Sequence, residues 1–240
     1  MKSTNDYKSM LEKCLQEYDI YTKKGIALFA TINDFDSNVA PCKEEFSVQS
    51  LYLPRGYYCP SPDIEHIVTN MCRGKIAKHL TKNSKPTNRY LFDTENKLRI
   101  AETFYPNCSP KVEYLFYEEN TILGFTYNRL GGLQEISVEQ HSNGRISSYL
   151  WATGMPFYQN QNNISRLIYE LYSYRNNASL ETNFYNMDMA LSRDRSSYSY
   201  IVTHYTYHFD LDKNGRVVPG SGIQLAKSRA VLKPEDGALS

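Results

Sequence analysis

The sequence has 240 residues, of which 41% are hydrophobic and 22% are charged, so it is long and apolar enough to bury a core and is unlike a disordered chain. Its 27 basic and 26 acidic residues leave a formal net charge of +1, which predicts no general attraction to nucleic acid or to membranes. No apolar run approaches the roughly twenty residues of a membrane-spanning helix, and the first residues lack the pattern of a secretory signal.

Cysteine and tyrosine usage adds two expectations. The five cysteines are odd in number and form no C-x-x-C pair, which favours reduced thiols and a cytoplasmic protein. The 21 tyrosines suit half-buried strands, and tyrosine also supplies rigid contact area at protein interfaces. The composition therefore favours a sheet protein and permits a binding role.

The chain begins with the clearest helical pattern, over residues 6–24. Its apolar side chains recur at spacings of three and four and are Tyr7, Met10, Leu11, Cys14, Leu15, Tyr18 and Tyr21. Gly25 follows the last lysines as a stop signal. We expect the apolar run 26–32 after it to form a short strand.

Residues 33–38 form an acidic segment that contains Asp34 and Asp36. A calcium-binding EF-hand loop needs glycine at its sixth position and glutamate at its twelfth, and this segment lacks the glycine. A solvated loop is the favoured interpretation, so the segment predicts no metal site.

A strand is predicted over residues 46–53, and a second amphipathic helix over residues 63–80. Cys59, His66, Cys72 and His79 lie in or near that helix, but the closely spaced ligand pairs of structural zinc sites are missing. We predict no metal and no cofactor. The polar stretch before residue 88 divides an N-terminal region, residues 1–86, from the rest, residues 87–240, and the two are expected to form one compact unit.

The stretch 88–151 reads as successive β-hairpins. Predicted strands cover residues 90–92, 98–104, 112–117, 122–127, 133–139 and 146–151, and turns rich in Asn, Asp and Gly separate them. A further strand over residues 198–209 ends in the turn Asp212-Lys213-Asn214-Gly215, and a strand returns from it. Between these parts, a third helix is predicted from Asn160 to Asn177, with Ile164, Leu167, Ile168, Leu171 and Tyr172 as its stripe.

The segment from Tyr207 to Val217 carries a resemblance to a known family. Its aromatic strand, its aspartates, its Asn-Gly turn and its following Arg-Val resemble the YD-type repeats of Rhs and wall-associated polymorphic toxins of bacteria, and residues 136–146 do so more faintly. About four turns of the chain match, and two of them lack the Gly-Arg pair. The resemblance implies hairpins, and it implies a place near such toxin systems.

Motifs for nucleophilic catalysis, phosphate binding and dinucleotide binding are absent from the sequence. Carboxylates on predicted strands could still pair as a general acid and a general base, as in glycosidases. The candidates are Glu113, Glu118, Glu119, Glu135 and Glu139, although alternation favours a solvated outer face for them.

We therefore predict an α+β fold, in which three amphipathic helices pack on a large antiparallel, hairpin-rich sheet. The favoured function is a cytoplasmic protein-binding protein of the immunity type, which blocks a bacterial toxin by occluding its active site; an enzyme is less favoured. A hydrolase with dispersed carboxylates and a structural subunit of a larger assembly are the alternatives. The partner is expected to be a protein, such as a toxin domain, rather than nucleic acid or membrane. The expected contacts are Glu118, Glu119, Asp210, Asp212, Tyr205, Tyr207, Asp34 and Asp36.

Overall fold

The computed structural model describes residues 4–32, 42–49, 54–61, 74–80, 84–154, 164–175, 177–191, 198–218 and 221–233. In these ranges the chain forms one α-helix, one short 3-10 helix at Gly56–Tyr58 and twelve strands. The helix is α1, Thr4–Phe29. The strands are β1 Lys43–Val48, β2 Lys75–Ile76, β3 Asn88–Phe92, β4 Leu98–Thr103, β5 Lys111–Glu118, β6 Thr121–Tyr127, β7 Leu133–Ser142, β8 Arg145–Gly154, β9 Ile164–Arg175, β10 Ser179–Leu191, β11 Tyr198–Asp210 and β12 Ile223–Leu232.

The predicted α+β class with three helices is wrong, because the described chain is mostly antiparallel sheet with a single α-helix. The large hairpin-rich sheet itself is confirmed. The predicted third helix is strand β9, which pairs along its length with β8 and β10. Most of the predicted second helix lies outside the described residues, but its last part contains strand β2 instead of helix.

The first helix is confirmed and is longer than predicted. α1 continues through Gly25 to Phe29, so the strand predicted over residues 26–32 is wrong. Gly25 is not a stop signal, because it lies where the helix meets β6. A Cβ atom there would be 2.6 Å from Cδ1 of Phe125 and 3.1 Å from Cδ2 of Leu133. Glycine at this position therefore permits a close approach between helix and strand.

The chain divides into two compact units. The first, named here the long-strand unit, comprises Met1–Lys23 with Gln134–Ser240, and the second, the short-strand unit, is Lys24–Leu133. In the long-strand unit, strands β7 to β12 are neighbours in chain order, and each described pairing is antiparallel.

The register of the long-strand unit defines its two sides. One row runs across β8 to β12 through Leu150, Tyr169, Tyr185, His204 and Ser228, and this is the helix side. The ring of Tyr7 on α1 lies 6.4 Å from that of His204, and its hydroxyl is hydrogen-bonded to Ser228. Lys13 Nζ donates to the hydroxyl of Tyr169 at 3.0 Å. The first part of α1 thus covers this side.

The opposite side of the same strands, named here the far side, is also buried over much of its area. Its matching row is Tyr149, Glu170, Phe184, Tyr205 and Lys227, of which the first three are fully buried. Strand β9 is therefore buried on both sides. That explains its apolar run Leu167-Ile168-Tyr169, which is compatible with either a helix or a buried strand.

In the short-strand unit the strand order is β6-β5-β4-β3-β1-β2. One side of it carries a core of Tyr90, Phe92, Leu98, Ala101 and Leu115. The segment around the 3-10 helix packs on this core, with the Tyr58 ring 4.8 Å from that of Tyr90 in an edge-on arrangement. The last residues of α1 pack on the other side, where Tyr127 donates to the carbonyl oxygen of Gly25 at 2.7 Å.

Polar groups are also buried in this core. Arg55 Nε lies 3.0 Å from Oε1 of Glu113, and both side chains are at least nine-tenths buried. Ser47 donates to Asn88 at 3.1 Å, and Tyr90 accepts the backbone N–H of Tyr57 at 2.9 Å. The segment is thus held on the core by a buried ion pair and by hydrogen bonds.

Three hairpin turns share one pattern of hydrogen bonds. In each, the side-chain oxygen of the first residue accepts the N–H groups two and four residues further along, at 2.8–2.9 Å. The fourth residue has positive φ, as glycine and asparagine tolerate. The first residues are Asp93, Asn128 and Asp212, and the fourth residues are Asn96, Gly131 and Gly215. The turns predicted at these places are confirmed.

Candidate binding surface

The predicted partner contacts on β11 differ in exposure. Tyr205 is half-buried on the far side, with its ring 6.0 Å from that of Phe184. Tyr207 is 5% exposed, and its hydroxyl donates to Oε1 of Gln224 at 3.1 Å. Its ring lies between those of Tyr205 and Phe209, at 6.1 and 6.0 Å. Of the two tyrosines, Tyr205 offers more surface to a partner, and Tyr207 fixes β12 against β11.

Asp210 and Asp212 follow on the same strand and in the turn after it. The carboxylate of Asp210 lies 3.7 Å from Nε2 of His208 and is largely exposed. Asp212 accepts the N–H groups of Arg216 and Asn214, and these hydrogen bonds lower the pKa of its carboxyl. Asp212 therefore supports its own turn in addition to any contact it makes outside.

The remaining predicted contacts fall in other places. Glu118 and Glu119 lie at the end of β5 in the short-strand unit, where Glu118 forms an ion pair with Lys24 and Glu119 is exposed. Asp34 and Asp36 lie outside the described residues. The structure thus brings Tyr205, Tyr207, Asp210 and Asp212 together on one strand and the turn after it.

Strand β12 is a candidate surface that the sequence had not indicated. Among the described residues, β12 pairs with β11 and with no second strand, so its other edge is open. Three large apolar side chains on it are exposed: Ile223 by 60%, Leu225 by 55% and Val231 by 54%. An open edge of this kind presents unpaired backbone N–H and C=O groups. It is therefore a surface on which another chain can add a strand.

The charge on this edge is of one sign. Lys227, Arg229 and Val231 alternate on the far side, opposite Tyr205, Thr203 and Ile201 of β11. The ammonium of Lys227 lies 5.2 Å from the centre of the Tyr205 ring. The strand contains no Asp or Glu, and Arg229 makes no ion pair with any described residue. The edge combines apolar side chains with two cations available to an anionic partner.

A second polar group of residues lies on the far side, away from this edge. Glu139 of β7 and Glu170 of β9 are both buried and flank Tyr149 of β8 in one row. Tyr172 donates to Oε2 of Glu170 at 2.5 Å. Burial lowers the pKa of His141, whose Nε2 lies 3.5 Å from Oε2 of Glu139. Two strand spacings, or about 10 Å between Cα atoms, separate the two glutamates, and Tyr149 lies between them in the row.

The predicted solvated face for the strand carboxylates is therefore wrong at two positions. Glu113 is held by Arg55 in the core of the short-strand unit, and Glu139 is buried on the far side. Glu135 is half-buried and accepts a hydrogen bond from Nε1 of Trp151 at 3.2 Å. Alternation alone could not reveal this burial, because it depends on what covers each side of the sheet.

Comparisons with protein-family models, with curated proteins and with solved structures find no match to this chain. Over the ranges described, no three His, Cys, Asp or Glu side chains come together as a metal ion requires. The described helix is not long and apolar enough to cross a membrane. The four described cysteines, Cys14, Cys42, Cys59 and Cys108, are free thiols.

Proposed function

We propose that this protein is a cytoplasmic protein-binding inhibitor of the immunity type, which blocks a bacterial toxin by covering its active site. The observation that carries the proposal is the open edge of β12, with exposed Ile223, Leu225 and Val231 beside Lys227 and Arg229. Exposed apolar groups rimmed by charge are typical of surfaces that bind other proteins. The resemblance of the turns to YD-type repeats supports a toxin system as the setting.

An inhibitor of this type needs no catalytic residues. It needs a rigid surface with aromatic or apolar anchors, and charges that complement the target. The long paired strands β10 and β11 provide the rigid support, and Tyr205 lies beside Lys227 of β12 as an aromatic contact. Asp210, at the end of β11, adds an exposed carboxylate for basic groups of the target.

The experiment is capture followed by a growth test. The tagged protein is incubated with lysate of the cells that make it, and retained proteins are eluted at increasing salt and identified. Each retained protein is then expressed alone and together with this chain. We expect one partner that arrests growth alone and does not arrest it together with this chain. A partner that is harmless when expressed alone, or the retention of none, would contradict the proposal.

A hydrolase is the second candidate, and the buried carboxylates Glu139 and Glu170 are the observation that favours it. An acid and a base in that row would act on a glycosidic bond, with Tyr149 between them. The test is turnover of a panel of chromogenic aryl glycosides by the wild type and by the Glu139→Gln and Glu170→Gln variants. We expect turnover that both substitutions abolish while the circular dichroism spectrum is unchanged. Absence of turnover with the wild type would remove this candidate.

A further inference from the structure

We propose that β12 binds an acidic, extended segment of the partner protein, which adds to the sheet as an antiparallel strand beside it. This inference deepens the proposed function and rests on it for the partner's identity. The inference rests on three features that occur together on β12: an open backbone edge, three exposed apolar side chains and two cations.

The backbone gives the geometry of this binding. A strand of ten residues is about 34 Å long, and every second residue directs its N–H and C=O groups away from β11. An added strand satisfies those groups with its own, which is how extended peptides bind sheet edges in other proteins. The register shift between β11 and β12 occurs near Leu225, so the regular part of the edge begins at Ala226.

The side chains specify the occupant. Residues directly opposite each other on neighbouring strands lie on the same side of the sheet. An added strand therefore places two of its alternate residues opposite Lys227 and Arg229, on the far side. Carboxylates at those two positions pair with the cations, and apolar side chains nearby cover Val231 and Leu225. An Asp or Glu pair separated by one residue, between apolar residues, is the expected sequence.

A second copy of this chain is a poor occupant of the same edge. When two copies of β12 pair antiparallel around a twofold axis, the far side of one copy continues into the far side of the other. Far-side residues of one β12 therefore lie opposite far-side residues of the other. Registers that pair most of the strand then place Lys227 of one copy opposite or diagonal to Lys227 or Arg229 of the other. Like charges in such positions are destabilising. The two cations thus select against self-association and for an acidic partner.

The test uses a blocked, fluorescently labelled ten-residue peptide of valine and threonine with two glutamates at alternate central positions. Its binding to the full chain is followed by fluorescence anisotropy. We expect saturable binding that weakens with salt. The double variant Lys227→Glu/Arg229→Glu should bind about tenfold more weakly, as expected for the loss of two exposed charge pairs. The matched control Lys213→Glu, a cation exposed in the turn after β11, should leave the affinity unchanged.

Two altered peptides separate charge from backbone. A peptide with lysines in place of the glutamates should bind the double variant and not the wild type. A peptide with its glutamates kept and alternate backbone nitrogens methylated should lose binding, because it cannot form the ladder. No binding of the acidic peptide, or binding that neither the double variant nor methylation weakens, would overturn the inference.

The capture experiment, repeated with the double variant, distinguishes failure of this inference from failure of the proposed function. Peptide binding at β12 without any captured toxin supports the edge site and contradicts the immunity function. If the wild type and the double variant capture a toxin equally well, the result supports the immunity function and contradicts β12 as its site. If the double variant fails to capture the toxin and the Lys213→Glu control captures it, the result supports both the immunity function and β12 as its site.

Discussion

At the scale of single residues, the stability of the short-strand unit depends on the ion pair between Arg55 and Glu113. Both side chains are at least nine-tenths buried, and Nε and Oε1 are 3.0 Å apart. Removing one charge of a buried pair leaves the other without its counter-ion in a medium that solvates it poorly. The pair between Lys24 and Glu118 lies in the same unit and is exposed, so it provides a direct comparison.

We expect Glu113→Gln to lower the free energy of unfolding by about 3 kcal/mol, since the buried guanidinium of Arg55 loses its ion pair with the Glu113 carboxylate. Glu118→Gln should lower it by less than about 1 kcal/mol, because that pair is exposed to water. Urea denaturation followed by circular dichroism measures both. Equal effects of the two substitutions would show that the buried ion pair contributes no more to the free energy of unfolding than the exposed one.

The carboxyl of Asp212 should make the stability of its turn depend on pH. The N–H groups of Arg216 and Asn214 lower the pKa of its carboxyl below the ordinary value of 3.8. A lowered pKa in the folded state means that the carboxylate stabilises the turn above about pH 3.8, and that this stabilisation is lost as the pH falls through the folded-state pKa. The amide resonances of Asn214 and Arg216 should therefore titrate with a midpoint below 3.8 in NMR spectra.

The matching control is Asp212→Asn. Asn128 makes the same two hydrogen bonds through its Oδ1 in another turn, so asparagine can hold this geometry without a charge. The variant should keep the turn and lose the titration of its two amides below neutral pH. It also removes the charge of a predicted partner contact while preserving the backbone. Loss of the turn in this variant would show that the negative charge itself is required.

These turns were predictable from the sequence because their chemistry is local. An Asp or Asn at the first position and a Gly or Asn at the fourth specify the hydrogen bonds and the positive φ within five residues. The ion pair of Arg55 with Glu113 was not predictable in this way. Fifty-eight positions separate its members, and the burial of each depends on segments that meet only in the folded chain.

At the scale of elements, the continuation of α1 past Gly25 is a packing effect. Local propensity disfavours glycine inside a helix by about 1 kcal/mol relative to alanine. The position nevertheless requires glycine, because the fully buried ring of Phe125 occupies the space of a Cβ atom. Tertiary contact thus overrides the local signal that predicted a helix end.

We expect Gly25→Ala to destabilise the protein by about 1–3 kcal/mol, because the overpacking outweighs the gain in helix propensity. Ile26→Ala is the control one residue further along, where the native side chain is 61% exposed, and its effect should remain within about 0.5 kcal/mol. Thermal unfolding of both variants provides the comparison. Stabilisation by Gly25→Ala would show that Phe125 moves aside at little cost.

Strand β9 shows where element prediction failed. Its apolar side chains satisfy the three-and-four spacing of a helix, but Leu167 and Tyr169 lie on the helix side and Ile168 and Tyr172 on the far side. A strand buried on both sides does not alternate apolar with polar residues. The spacing of its apolar residues therefore does not distinguish it from a helix.

At the scale of the whole molecule, the order of assembly distinguishes two kinds of core residue. Leu180 of β10 lies on the far side between β9 and β11, whereas Leu11 of α1 belongs to the helix whose Tyr7 contacts His204 and Ser228. Consecutive hairpins close short loops and form early, while contacts between distant segments carry a larger entropic cost. Both leucines are at most 3% exposed, so they are matched in burial.

We expect Leu11→Ala and Leu180→Ala each to cost about 2–5 kcal/mol of stability. The loss at Leu11 should appear mainly as faster unfolding, and the loss at Leu180 partly as slower folding. Stopped-flow measurements over a range of urea concentrations separate the two rates. Slower folding in Leu11→Ala, with its unfolding rate unchanged, would place the helix contact in the transition state instead.

The contact between Tyr7 and Ser228 also has a consequence for synthesis on the ribosome. The two residues are 221 positions apart, and at about 5–20 residues per second some 10–45 s pass between their incorporation. During that interval the apolar stripe of the nascent helix, with Tyr7, Leu11 and Cys14, has no completed sheet to cover it. This stripe is the segment that a chaperone bound to the nascent chain would shield, and completion of β12 would release it.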